Sequence, residues 1–74
     1  MIVLVEWNDA YFVQFIMPPE AVKDIEPYMV QSVGWVIERN KKEIRLACSQ
    51  INDGRVRDIL VVPMALVRKV KRLR

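Results

Sequence analysis

The chain is expected to fold as a mainly β domain, a small, partly open barrel of about five strands with one short helical segment. Three observations predict it. Apolar and polar residues alternate with a period near two over 29–39, 43–51 and 55–62. Polar clusters, Asn40-Lys41-Lys42 and Asn52-Asp53-Gly54, separate those runs where hairpin turns belong. A further run at 2–7 is β-branched and apolar on both faces, which suits a strand covered on both sides or lying at a barrel seam.

The elements follow in chain order. In residues 2–7, Ile2 and Leu4 share one face and Val3, Val5 and Trp7 the other, before Asn8 and Asp9 mark a turn. Residues 11–16 read either as another short strand or as aromatic packing in a loop, ended by Met17, Pro18 and Pro19. Residues 20–25 favour a turn or two of helix. Proline is tolerated at a helix start, Glu20 suits the positive end of the helix dipole, and Pro27 prevents continuation. From 29 to 39 the odd positions Val33, Trp35 and Ile37 line one face, with Ser32, Gly34 and Glu38 opposite and Val36 as the exception. Core is therefore the expected place of Trp35, as it is of Trp7.

After the turn at 40–42, Ile44, Leu46 and Cys48 alternate with Glu43, Arg45, Ala47 and Ser49, so 29–39 and 43–51 form a hairpin. Gly54 and its neighbours Asn52 and Asp53 tolerate the positive φ of a tight turn. The next strand, 55–62, sets Val56, Leu60 and Val62 against Arg57, Ile59 and Val61, and stops at Pro63, which has no N–H for a ladder. The tail admits two readings. Leu66, Val67, Val70 and Leu73 recur at helical spacing; a single turn at 63–66 followed by a short closing strand removes exposed sheet edges. Topology favours the strand.

Seventy-four residues make a single domain of a size at which folds often lean on oligomerisation, a metal or disulfides. Cys48 is the one cysteine, there is no histidine, and the carboxylates lack metal-loop spacing. No metal or other cofactor is expected. Hydrophobic residues make up 53% of the chain, enough to reserve apolar surface for another copy. The N-terminal apolar run is too short for a signal-peptide core, and no stretch approaches the roughly 20 apolar residues of a membrane span. A cytoplasmic location is expected.

Charge is unevenly placed. Residues 1–38 carry one lysine against six carboxylates, whereas 39–74 carry eleven basic residues against three carboxylates. A basic half attracts phosphate backbones, or the acidic half of a sister subunit.

The stretches Val33-Gly34-Trp35-Val36, Leu46-Ala47-Cys48-Ser49-Gln50 and Asp58-Ile59-Leu60-Val61-Val62-Pro63, with the spaced Val67, Val70 and Leu73, resemble small uncharacterised proteins of bacteriophages and prophages. The opening Glu6-Trp7-Asn8-Asp9-Ala10 is similar as well. This resemblance covers most of the chain except residues 11–28 and rests on structural motifs. It implies an SH3-like barrel layout and no known activity.

Catalysis is not expected. Without histidine, acid–base chemistry near neutral pH needs a strongly perturbed group, and nothing in the pattern points to one. Cys48 reads as a small buried hydrophobe, Ser49 has no base partner, Asp9, Asp53 and Asp58 sit in or beside turns, and two glycines cannot build a phosphate loop. Binding remains. The expected role is a non-enzymatic module that self-associates or docks to a protein, with Phe12, Phe15, Ile16, Met17, Glu20, Asp24 and Glu26 as its interface. The alternative is a nucleic-acid-binding module using Lys41, Lys42, Arg68, Lys69, Lys71, Arg72 and Arg74. Basic residues also solvate strand edges and block aggregation, which weakens that alternative. Tyr11, Phe12, Phe15 and Tyr28 neighbour the acidic half, a poor place to stack bases. The basic tail lacks an aromatic membrane anchor, so no membrane partner is expected, and no small-molecule substrate is evident.

Overall fold

In the computed structural model, which describes residues 1–10 and 16–74, the elements are β1 (Ile2–Asp9), α1 (Pro19–Val22), β2 (Tyr28–Arg39), β3 (Glu43–Gln50), β4 (Val56–Pro63), a 3-10 turn (Met64–Leu66) and β5 (Val67–Arg72). All pairings are antiparallel, in the order β4-β3-β2-β1-β5. The mainly β, five-stranded architecture expected from the alternation is the one observed. The closing strand at the C-terminus is also observed, and its 3-10 turn replaces the alternative helix. The possible strand at 11–16 lies almost wholly outside the described residues.

The sheet has to curl. Laid flat, β4 and β5 would be separated by four strand spacings, roughly 19 Å. Only Met64–Leu66 joins them, wound at about 2 Å per residue. The short link draws the two edge strands together, and the Met64 N–H donates to the Lys42 carbonyl at 2.8 Å, tying it to the β2–β3 turn. Closure is incomplete, because β4 and β5 do not pair. Inside the curl, Val3 and Val5 of β1 meet Ile44, Leu46 and Val62 of β3 and β4. Trp7, Val36, Leu60, Met64, Val67 and Val70 pack around them. Each fully buried aliphatic side chain contributes about 1.5–3 kcal/mol.

The turns follow their chemistry. Asn40 Oδ1 accepts from the N–H groups of Lys42 (2.8 Å) and Glu43 (3.0 Å), closing the β2–β3 hairpin. At the next hairpin Gly54 takes φ 93° and Asp53 Oδ1 accepts from the Arg55 N–H at 3.0 Å. The helix expected over 20–25 forms over Pro19–Val22, a single turn with Pro19 at its start and Glu20 in its first turn.

Three expectations are corrected. Asn8 and Asp9 continue β1 instead of turning, since Met29 and Tyr28 pair with them and ladder formation outweighs local turn preference. Val33, Trp35 and Ile37 do not line the core. Val3 pairs with Gly34 and Val5 with Ser32, which turns the even positions of β2 inward and makes Val36 its core residue. Trp7 supplies the bulk that Ser32 and Gly34 lack, and its indole N–H donates to Ser32 Oγ at 3.1 Å. Trp35 therefore belongs to the outer face, half-buried, with Val33 about half exposed beside it. Cys48, expected inside with Ile44 and Leu46, is exposed. Its neighbour across β2 is Gly34, which has no side chain to cover it, and its thiol donates to the Val33 carbonyl at 3.7 Å.

Gly34 is dictated by space. A Cβ at that position would lie 2.7 Å from the Ala47 carbonyl oxygen and 3.2 Å from Leu46 Cβ, so β2 and β3 approach here more closely than a side chain permits.

Candidate interaction surface

Residues 16–27 form an arm between the far ends of β1 and β2. All of them are exposed except the half-buried Met17 and Ala21. The hydrogen bonds that order it run within it, from the N–H groups of Ala21, Asp24 and Ile25 to the carbonyls of Pro18, Ala21 and Val22. At its base, Ala10, Ile25, Glu26 and Pro27 line an open cleft of about 220 Å³. The chain is elongated, with extents of 54 × 21 × 20 Å and a radius of gyration of 15.7 Å. A compact chain of this length has a radius near 11 Å. Its surface, 6063 Å², exceeds by about 1,300 Å² the roughly 4,700 Å² of a typical folded monomer of its mass. Each side of a standard protein interface contributes about 800 Å².

Of the expected interface residues, Ile16, Met17, Glu20, Asp24 and Glu26 lie together on this arm, and Phe12 and Phe15 fall outside the described residues. Ile16, Val22 and Ile25 are large apolar side chains in solvent. The arm carries Glu20, Asp24 and Glu26 against Lys23 alone.

The expected basic residues fall into two groups that one contact joins. Lys41 and Lys42 occupy the β2–β3 turn, and Arg68, Lys69, Lys71 and Arg72 lie on the edge strand β5. Met64, held by the Lys42 carbonyl, leads directly into β5. Arg74 ends the stripe beside β1, its carbonyl accepting from the Ile2 N–H at 2.7 Å. Carboxylates already engage three other hairpin cations: Arg45 with Glu43 (2.7 Å) and Glu38 (3.6 Å), Arg55 with Asp53 (2.8 Å) and Arg57 with Asp58 (3.9 Å). The hydrogen-bonded Glu43 carboxylate raises the pKa of Arg45, which is charged at any accessible pH regardless. Among the described residues, Lys41, Lys42, Arg68, Lys69, Lys71, Arg72 and Arg74 make no ion pair. Their charge is available to a partner.

A second apolar surface was not anticipated. The pairings Leu4 with Val33, Ile2 with Trp35, Trp35 with Ala47 and Ala47 with Ile59 align side chains across four strands on the outside of the barrel, with the small Ala47 itself fully covered. Val61, opposite Arg45, extends this face. Val33 and Ile59 are each 49% exposed and Val61 44%. A cleft of about 190 Å³, lined by Ile2, Val33, Gly34, Trp35 and Cys48, adjoins it. The signal was present in the sequence, since residues 2–5 and 59–62 are apolar at consecutive positions and one face of each has to lie outside a single-layer barrel.

The described residues hold no group of three or more cysteine, aspartate or glutamate side chains placed to bind a metal, and no described helix is long and apolar enough to cross a membrane. No family model matches the chain, and neither the curated proteins nor the solved structures contain a significant match.

Proposed function

We propose that the chain is a non-enzymatic interaction module that binds a second copy of itself. The surface in excess of a typical monomer carries the reading, and it accompanies an exposed arm with apolar side chains and a barrel whose outer face is apolar too. A monomer gains nothing from that exposure; an oligomer covers it. The acidic arm and the basic β5 add complementary charge, which fixes orientation and speeds encounter.

A second reading keeps one supporting observation, the stripe of unpaired cations from Lys41 and Lys42 along β5 to Arg74. Such a stripe fits a nucleic-acid phosphate backbone, with affinity that falls steeply as salt rises. Light scattering coupled to size exclusion, with and without a mixed oligonucleotide, separates the two. Self-association predicts a multiple of 8.7 kDa that ignores the oligonucleotide. A monomer that shifts only when oligonucleotide is added supports the second reading and overturns the first.

A further inference from the structure

Where one copy holds the other follows from three features of the molecule, and the inference rests on the self-association proposed above. The outer sheet face is an apolar patch built from Ile2, Leu4, Val33, Trp35, Ile59 and Val61. Its β5 border is basic: Lys71 pairs in register with Leu4 and Lys69 with Glu6, which places both lysines on this same face. The arm has the complementary composition, with Ile16, Val22 and Ile25 exposed among Glu20, Asp24 and Glu26. We infer that the arm of one copy lies across the outer sheet face of a second copy, its aliphatic side chains on the patch and its carboxylates against Lys69 and Lys71.

The cleft beside Trp35 and Val33 has room for an aliphatic side chain such as Ile16. Exchange is reciprocal in a two-fold dimer, since each copy brings one arm and one face, and the two contacts bury the surface that either copy alone exposes. The arm's position at the far end of the β1–β2 ribbon lets it reach a neighbour without disturbing the barrel core. Charge sets the register of the contact and the apolar centre supplies its affinity.

The test is a charge exchange read as mass in solution. One variant carries Glu20→Lys, Asp24→Lys and Glu26→Lys; the other carries Lys69→Glu and Lys71→Glu. All five side chains are exposed, and far-UV circular dichroism checks that each variant keeps the parent fold. The expected result is a dimeric parent, two variants that each fall to the monomer mass of 8.7 kDa, and a return to the dimer when the two are mixed in equal amounts. Mixing restores it because the reversed arm meets the reversed face, while the unaltered arm meets the unaltered face. If a reversal unfolds the chain, the milder Lys69→Gln with Lys71→Gln still has to lower the dimer fraction. A dimeric parent whose reversed variants stay dimeric overturns the arm-to-face contact and leaves self-association standing. Variants that dissociate and are not rescued by mixing overturn the contact as well. A monomeric parent overturns self-association itself.

Discussion

Replacing Gly34 with alanine tests the close approach of β2 and β3 that shapes both faces of the sheet. The new Cβ would stand 2.7 Å from the Ala47 carbonyl oxygen and 3.2 Å from its carbonyl carbon, both backbone atoms, so no rotamer change relieves the overlap. The strands have to separate or tilt. Overpacking of this kind costs about 1–3 kcal/mol. Alanine recovers about 0.5–1 kcal/mol because it loses less backbone freedom than glycine on folding. A net loss of about 1–2 kcal/mol remains, and at about 4–8 °C per kcal/mol for a domain of this size the midpoint falls by roughly 5–15 °C. Thermal unfolding followed by circular dichroism, with urea unfolding as a second measure, reads the shift directly. A Gly34→Ala variant as stable as the parent would mean that β2 and β3 accommodate a side chain where the geometry leaves no space, and would overturn the steric role of Gly34.

Further outcomes follow from the same geometry. Leu46→Ala removes a fully buried core side chain and costs about 2–5 kcal/mol. That is a large share of the roughly 4–11 kcal/mol a chain of this length commands, and urea unfolding should place the variant near or past the limit of a stable fold. Trp7→Phe deletes the 3.1 Å bond to Ser32 and should cost about 1 kcal/mol, seen as a lower urea midpoint with an unchanged slope. Asn40→Ala strips two N–H groups of their acceptor at the β2–β3 turn and should cost a similar amount, about 1 kcal/mol. Cys48 is exposed in the single copy, so a thiol reagent should label it in the folded monomer, at protein concentrations low enough to dissociate the dimer, and Cys48→Ser should change monomer stability by less than about 0.5 kcal/mol. A folded monomer whose thiol reacts only on unfolding would return Cys48 to the core.

The strands and their turns were legible because alternation and turn chemistry are local properties. Asn40 and Gly54 act through atoms within a few residues of themselves, and each hairpin forms where those residues predict. The identity of the inner face was not local. Period two divides β2 into Val33, Trp35 and Ile37 on one side and Ser32, Gly34 and Val36 on the other, and the larger set looks like core. Pairing with Val3 and Val5 decides otherwise, because Trp7 and the β3 side chains already fill the space beneath Ser32 and Gly34. The same override placed Trp35 outside and left Cys48 uncovered. It also explains why the acidic and apolar composition of the arm was legible in the sequence while the apolar outer face was not. The arm is marked by its own residues; the face exists only once four strands are aligned in register.

Two copies of this chain, as proposed, bind each other through apolar surface steered by charge. Sedimentation equilibrium, run over a range of protein concentrations, measures that association. Runs at roughly 0.1 M and roughly 1 M salt, between which the Debye length falls from about 10 Å to about 3 Å, separate the apolar and charged contributions. Self-association gives twice 8.7 kDa at the lower salt, with a dimer that weakens on dilution and weakens further at the higher salt. A mass of 8.7 kDa at every concentration and both salt levels would contradict it.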